Sequence, residues 1–286
     1  MNVMEARALL FSVIEGGHSF WGQEIGLLGP INVAEKLVNL GYEGVKFDRI
    51  NSATRKLNVG QVLESIAIAN AQFITPEHDH WPVGLKDLAA PPIGLVVKGK
   101  SEVLLHSSLA IVGTRNPTNY GVRVAGDFAA GFVDREWAIV SGGAYGIDGA
   151  AHKGALIAEG ITIAVIATGV DVNYPAGHAR LFAEIADSGA IVSEVVPGSH
   201  AIPARFLTRN RLIAAISKAT LVVEAAFRSG SLRTARDAAE LLRPVMAIPG
   251  PITSPTSEGC HRLIGERSAE VVTSIVDAVE FIATHR

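Results

Sequence analysis

The sequence predicts an α/β protein, a parallel sheet with helices on its faces, preceded by a small all-α domain. Three observations carry this. From Leu109 onward, short apolar runs that fit buried strands alternate with helical stretches. The carboxyl ends of three runs open into loops of small residues: Gly113-Thr114-Arg115, Ser141-Gly142-Gly143 and Ser229-Gly230-Ser231. Residues 1–72, in contrast, carry apolar residues at helical spacing.

In the N-terminal part, Ala6, Leu9, Leu10 and Val13 form one stripe. Val33, Leu37, Val38 and Leu40 form a second before Gly41, and Val62, Ile66 and Ile68 a third. Residues 73–92, with Pro76, Pro82, Pro91 and Pro92, read as a linker. The core domain is then 93–286. Its first strand is Leu95–Lys98. Leu109–Val112 leads through Gly113-Thr114-Arg115 into a helix from about Tyr120 to Phe132. Trp137–Val140 leads through Ser141-Gly142-Gly143 into a helix carrying Asp148 and His152. Strands follow at Thr162–Ala167, Ala190–Val192, Leu221–Val223 and Val245–Ile248. Helices fit 179–186, the stretch after Arg209-Asn210-Arg211, the residues up to Leu242, and the terminal run with Ile275, Val276, Val279 and Ile282.

Composition narrows the function. The chain has 286 residues, 48% hydrophobic and 19% charged, enough for a sizeable core in one large domain plus a small one. The net charge of −3 provides no global basic field, so any nucleic-acid surface must be local. A single cysteine, Cys260, excludes an intrachain disulfide and fits a reducing compartment. The start has no secretory pattern and the apolar runs are short, so a cytoplasmic protein without membrane contact is expected. His78-Asp79-His80 could suggest a metal. Three adjacent residues on an extended segment cannot easily face one ion, so no metal is expected.

The three loops point to anion binding. In a parallel sheet, ligands bind outside the carboxyl ends of the strands. Glycine lets backbone approach a phosphate, and the helix behind offers unpaired amides and a positive dipole end. A Walker loop is absent, and Gly-x-Gly-x-x-Gly is met only in part, with Ser141 in its first position. No carboxylate ends the next strand to hold a ribose. Between Arg205 and Arg243 stand eight basic residues and three acidic ones. Arg209 and Arg211, bracketing Asn210 at an expected loop–helix junction, have the planar fork that grips phosphate.

These residues resemble the DNA-processing protein A family, DprA/Smf. The resemblance lies in Ile111-Val112-Gly113-Thr114-Arg115 with Tyr120-Gly121, and in Ser141-Gly142-Gly143-Ala144 with Gly146-Ile147-Asp148 and Ala151-His152. It continues through Gly169 with Asp171, Tyr174-Pro175, Ser193-Glu194, Arg209-Asn210-Arg211, Ser229-Gly230-Ser231-Leu232 with Thr234-Ala235, and Pro249-Gly250. Order and spacing fit from about Trp81 to Ile264. The resemblance implies an extended Rossmann-like domain and a sterile-alpha-motif-like helical domain. It implies a single-stranded DNA-binding recombination mediator, without a cofactor, that forms a homodimer, protects strands and delivers them to the RecA recombinase, as in natural transformation. The implied DNA-phosphate site is Gly113, Thr114, Arg115, Ser141, Gly142, Gly143, Arg209, Asn210, Arg211, Gly230 and Ser231.

The chain departs from the family pattern in places. Tyr145 stands where a basic residue is frequent, Ala176 where some relatives carry lysine, and His261 where asparagine is expected. His178 is the one residue near enough to replace that lysine. The winged-helix domain of longer members is not expected after the terminal helix. Two alternatives use the same pocket. One is a sensor of a nucleotide-derived small ligand. The other is a nucleoside-monophosphate phosphoribohydrolase of the LOG or lysine-decarboxylase-like group, whose Pro-Gly-Gly-x-Gly-Thr-x-x-Glu motif would fall on Ser229–Asp237. Here Arg233 replaces its last glycine and Asp237 its glutamate. Asp148, Glu194 and Glu224 are the acids such an enzyme could use, but holding a helix end, an arginine or backbone is the simpler role for each.

Overall fold

The computed structural model describes residues 1–39 and 41–285; Leu40, a member of the second apolar stripe, lies outside them. The N-terminal helices are α1 (Val3–Val13), α2 (Ser19–Leu28), α3 (Pro30–Val38), α4 (Val45–Lys56) and α5 (Val59–Ile68). Asn2 and Glu5 close a capping box at the start of α1. Ala6, Leu10, Trp21, Val33, Leu37 and Tyr42 form the centre of this unit. α2 and α4 lack a clean apolar stripe in the sequence. They are held by an aromatic cluster in which Trp21 and Tyr42 meet edge to face at 4.9 Å.

Two antiparallel strands follow, β1 (Ala71–Ile74) and β2 (Leu95–Gly99). β1 straddles the 72/73 boundary, and residues 73–92 also hold a 3-10 turn at Val83–Asp87 whose Leu85 is fully buried. The remaining elements alternate: β3 (Ser108–Val112), α6 (Asn119–Val133), β4 (Ala138–Ser141), α7 (Ile147–Ile157), β5 (Thr162–Ile166), α8 (Ala179–Ser188) and β6 (Ala190–Ser193). Then come α9 (Pro203–Ile216), β7 (Ala219–Val222), α10 (Ser231–Glu240), β8 (Val245–Ala247), α11 (Glu258–Gly265), β9 (Glu270–Val271) and α12 (Ile275–Thr284). The strands lie in the order β1-β2-β6-β5-β4-β3-β7-β8-β9, with β2 antiparallel to both its neighbours and every pair from β6 to β9 parallel.

The central strands are apolar on both faces because both are covered. Leu109 and Ile111 of β3 face α6, α7 and α12, while Ala110 and Val112 face α9 and α10. α1 also reaches this sheet: Ala8 and Phe11 share a cluster with Phe73, Val96 and Ile166. Nearby, Arg7 grips Glu77 with N···O distances of 2.6–3.0 Å. Among the described residues, no helix is long and apolar enough to cross a membrane.

One sequence expectation is corrected here. Arg209-Asn210-Arg211 is not a loop–helix junction, because α9 begins at Pro203. Proline at the first helical position has the required φ and lacks only an amide that would be unpaired anyway. The three residues therefore sit mid-helix, where positions two apart diverge by about 200°.

Candidate functional site

Chain order reverses at β3, whose neighbours are β4 on one side and β7 on the other. Loops leaving β3 and β7 run in opposite directions, and the crevice between them is where open α/β sheets place ligands. A cleft of about 630 Å³ lies there, lined among others by Arg115, Asp148, Tyr174, Phe206, Arg209 and Gly230.

The loop after β3 is pinned from below. The Thr114 amide donates to the Glu224 carbonyl at 2.6 Å, and the Thr114 carbonyl accepts from the Ile147 amide at 3.1 Å. Gly113 is required because a Cβ would collide with Ile147 and the Glu224 carbonyl. The buried Glu224 carboxylate accepts from the Thr118 amide (2.9 Å), the Thr118 hydroxyl (2.7 Å) and the Thr256 hydroxyl (3.1 Å). Glu224 thus anchors the loop that carries Arg115.

Two helix N-termini face the cleft, and they differ in charge balance. Gly146 precedes α7 at φ +83° and gives no side-chain cap. Asp148 in its first turn supplies a carboxylate there and accepts from the Ala144 amide at 3.3 Å. Burial pushes the Asp148 pKa up, and the Arg209 charge opposes that rise. Gly230 precedes α10, which has neither a side-chain cap nor an acid in its first turn. Its positive end therefore faces no first-turn carboxylate, and its Ser231 amide reaches only the Ser229 hydroxyl, at 3.4 Å.

The arginines divide accordingly. Arg115 is exposed, has no carboxylate partner among the described residues, and stands over the Phe206 ring at 5.4 Å. Tyr174 lies against the same ring, with centroids 5.4 Å apart. Arg209 is buried with its guanidinium against Gly142 and donates to the Val165 carbonyl at 2.6 Å. Burial lowers its pKa to about 10, with the Asp148 charge opposing and the Arg115 charge adding to the shift, so it remains a cation at neutral pH. Asn210 donates to the Gly230 carbonyl at 3.1 Å and ties α9 to the start of α10.

Arg211 is not at the cleft. It donates to both Glu194 oxygens at 2.5 and 2.7 Å and to the Ala90 carbonyl at 3.0 Å. Ser141 is fully buried and donates to the Ile111 carbonyl at 2.6 Å, which ties β4 to β3. Gly142 and Gly143 pack against Arg209 and Phe182. Of the residues expected at the site, Gly113, Arg115, Arg209, Asn210, Gly230 and Ser231 line the cleft, and Ser141, Gly142, Gly143 and Arg211 do not. Thr114 sets the loop through its backbone. His178 does not stand at the rim: it is buried with Nδ1 3.0 Å from the Gly143 carbonyl. Phe206 was not singled out by sequence. It lies three residues before Arg209, a spacing that shares a helix face once α9 is known to begin at Pro203.

A family model described as DNA recombination-mediator protein A matches residues 72–283.

The chain belongs to that family.

Within the DNA recombination-mediator protein A family, a DprA protein of Mycobacterium tuberculosis is 44% identical over 269 residues, 89% of this chain and 69% of that one. The crystal structure of DNA processing protein A from Streptococcus pneumoniae superposes with a TM-score of 0.84 at 32% identity, covering 98% of both chains. A structure of the Helicobacter pylori protein, described for its single-stranded DNA binding mode, superposes with a TM-score of 0.67 at 31% identity, covering 76% of this chain and 96% of that one.

Proposed function

We propose that the cleft binds single-stranded DNA and that the protein is a recombination mediator, not an enzyme. One observation carries this reading: Arg115, with no carboxylate partner among the described residues, shares the cleft with the acid-free N-terminus of α10 and the Tyr174–Phe206 ring pair. A phosphate fits the first two groups. A base fits the rings, since base–aromatic stacking is tolerant of sequence. The relative from Helicobacter pylori, whose structure concerns single-stranded DNA binding, supports the same use of the fold. In this reading the protein protects strands and delivers them to a RecA-type recombinase, as a homodimer in the cytoplasm.

A cleft of about 630 Å³ also suits a nucleotide-sized ligand, which keeps the sensor as second reading. The phosphoribohydrolase reading has less support. The Glu224 carboxylate is fully engaged by loop donors, and Asp237 is buried and paired with Arg233 at 2.7 Å.

Fluorescence polarisation with an oligothymidylate, competed by duplex DNA and by free nucleotides, tests the proposal. Strand binding resistant to both competitors is expected. Displacement by free nucleotide at stoichiometric levels would favour the sensor.

A further inference from the structure

A second cavity lies on the far side of α9. Arg209 lines both the cleft and this neighbouring cavity of about 230 Å³, whose other wall is Glu15 and Gly16 from the helical unit and Arg49 from α4. That cavity in turn shares Arg49 and Arg205 with a third, about 540 Å³ in volume, between α4 and the segment after β6. The second and third cavities form one groove between the helical unit and the core. The cleft lies across the first turns of α9, with Pro203, Phe206 and Leu207 on its side and Ala204, Arg205 and Thr208 on the other, so a strand leaving the cleft reaches the face of α4 by crossing the start of α9.

The close docking of the helical unit forms this groove. Gly16 lies against the Glu194 carboxylate, and Gly17, at φ +74°, approaches Thr208 and Arg211; any Cβ at Gly16 would overlap that carboxylate. Phe11 stacks near Phe73, with ring centroids 5.1 Å apart, and holds α1 to the sheet edge.

The charges along the groove leave a cationic surplus. Its two carboxylates already have guanidinium partners: Glu15 pairs with Arg205 at 2.6 Å and Glu194 with Arg211 at 2.5 Å. Lys46 and Arg49 are exposed, and neither is in an ion pair among the described residues. They are three residues apart, so both project from one face of α4, and both line the groove. Lys46 lies over the Phe47 ring at 4.8 Å and the Phe20 ring at 5.6 Å, rings that also line it. Cations interleaved with aromatic rings suit the backbone and bases of a single strand.

We propose that the groove between the helical unit and the core carries the continuation of the bound strand, with Lys46 and Arg49 as phosphate contacts. The proposal rests on the reading of the cleft as a single-stranded DNA site. It gives the helical unit a direct part in strand binding and a footprint longer than the cleft.

The test compares two strand lengths on the full chain, an oligothymidylate of about 5 nucleotides and one of about 20, within the usual span of single-strand sites and beyond it. Each neutralised phosphate on a single strand contributes about 0.7 to the slope of log affinity against log salt. Lys46→Ala with Arg49→Ala is expected to lower the slope by about 1.4 for the long strand and to leave the short strand unchanged. Arg49→Ala alone, at a position with no ring contact, should give about half that drop. Arg55→Ala with Lys56→Ala, on the same helix but off the groove, should change neither strand. An unchanged long-strand slope in the Lys46 and Arg49 variants overturns the proposal, as does an equal drop from the Arg55 and Lys56 pair. Arg115→Ala reports on the cleft separately: if it leaves the short strand's binding intact, the cleft reading fails, while the long-strand slopes still decide the groove.

Discussion

Thr114 and Glu224 are joined across the point where chain order reverses: the Thr114 amide donates to the Glu224 carbonyl at 2.6 Å, and the Glu224 carboxylate returns to the same loop through Thr118. The two loops that leave the sheet in opposite directions are thereby one unit. The loop that carries Arg115 owes its shape to a buried acid as well as to Gly113.

Replacing that acid should loosen the site and the fold together. Glu224→Ala strands the Thr118 amide and leaves the Thr118 and Thr256 hydroxyls without their acceptor. Thr118 is exposed and Thr256 half-buried, so water takes over part of the lost acceptor's role, and a modest fall in melting temperature with weaker strand binding is expected. Glu224 has no reaction to serve in this reading, and adenosine monophosphate incubated with the protein should release no free base. Steady base release that vanishes in Glu224→Gln would return the enzyme reading to first place.

Arg115→Ala separates binding from folding. The side chain is exposed and touches the Phe206 ring, so calorimetry should show little change in melting temperature. Single-strand affinity should fall about tenfold to a hundredfold, because charge-assisted hydrogen bonds are worth roughly 1.5–3 kcal/mol. The salt slope should shrink by about 0.7, alike on different sequences. An unchanged affinity and slope would remove Arg115 from the site.

Arg211→Ala should do the reverse. Its side chain and that of Glu194 are 13% and 10% exposed, and removing one member of a buried pair costs about 3–5 kcal/mol. A large drop in thermal stability with an unaltered salt slope for short strands is expected. A slope lowered by about 0.7 would place Arg211 on the phosphate path after all.

Acid should destabilise the fold through His152. Its ring is fully buried, Nδ1 lies 2.7 Å from the Thr162 hydroxyl, and Nε2 has no partner among the described residues. Burial pulls its pKa from 6.5 down to about 3, with the His178 and Arg209 charges adding to the effect. Below pH 6.5 the unfolded chain takes up a proton that the folded chain refuses until about pH 3, so stability falls as pH drops through that window. The limiting slope is about 1.4 kcal/mol per pH unit. The raised Asp148 pKa acts in the opposite sense, since the folded carboxyl accepts a proton more readily than the unfolded one. His152→Asn should therefore show a smaller loss of melting temperature between about pH 7 and about pH 5 than the parent chain. Equal losses in the two would rule His152 out as the source.

Much of this protein could be read from residues alone. Apolar runs such as Leu109–Val112 and Thr162–Ile166 mark strands because both sheet faces are covered, and Gly113 and Gly230 mark loops that must come close to other backbone or leave a helix end open. Ordered motifs from Ile111 to Pro249 pointed to the family. These signals are local, carried by residues within one turn or one strand of each other. Tertiary structure decided what depends on helix phase and distant partners. The start of α9 at Pro203 separates Arg209, at the cleft, from Arg211, held by Glu194. Asp148 answers one helix N-terminus while the other has no acid in its first turn, and Glu224 shapes a loop 106 positions away in the chain. A side chain's charge is written in the sequence, but whether it is already neutralised depends on which residues folding brings beside it.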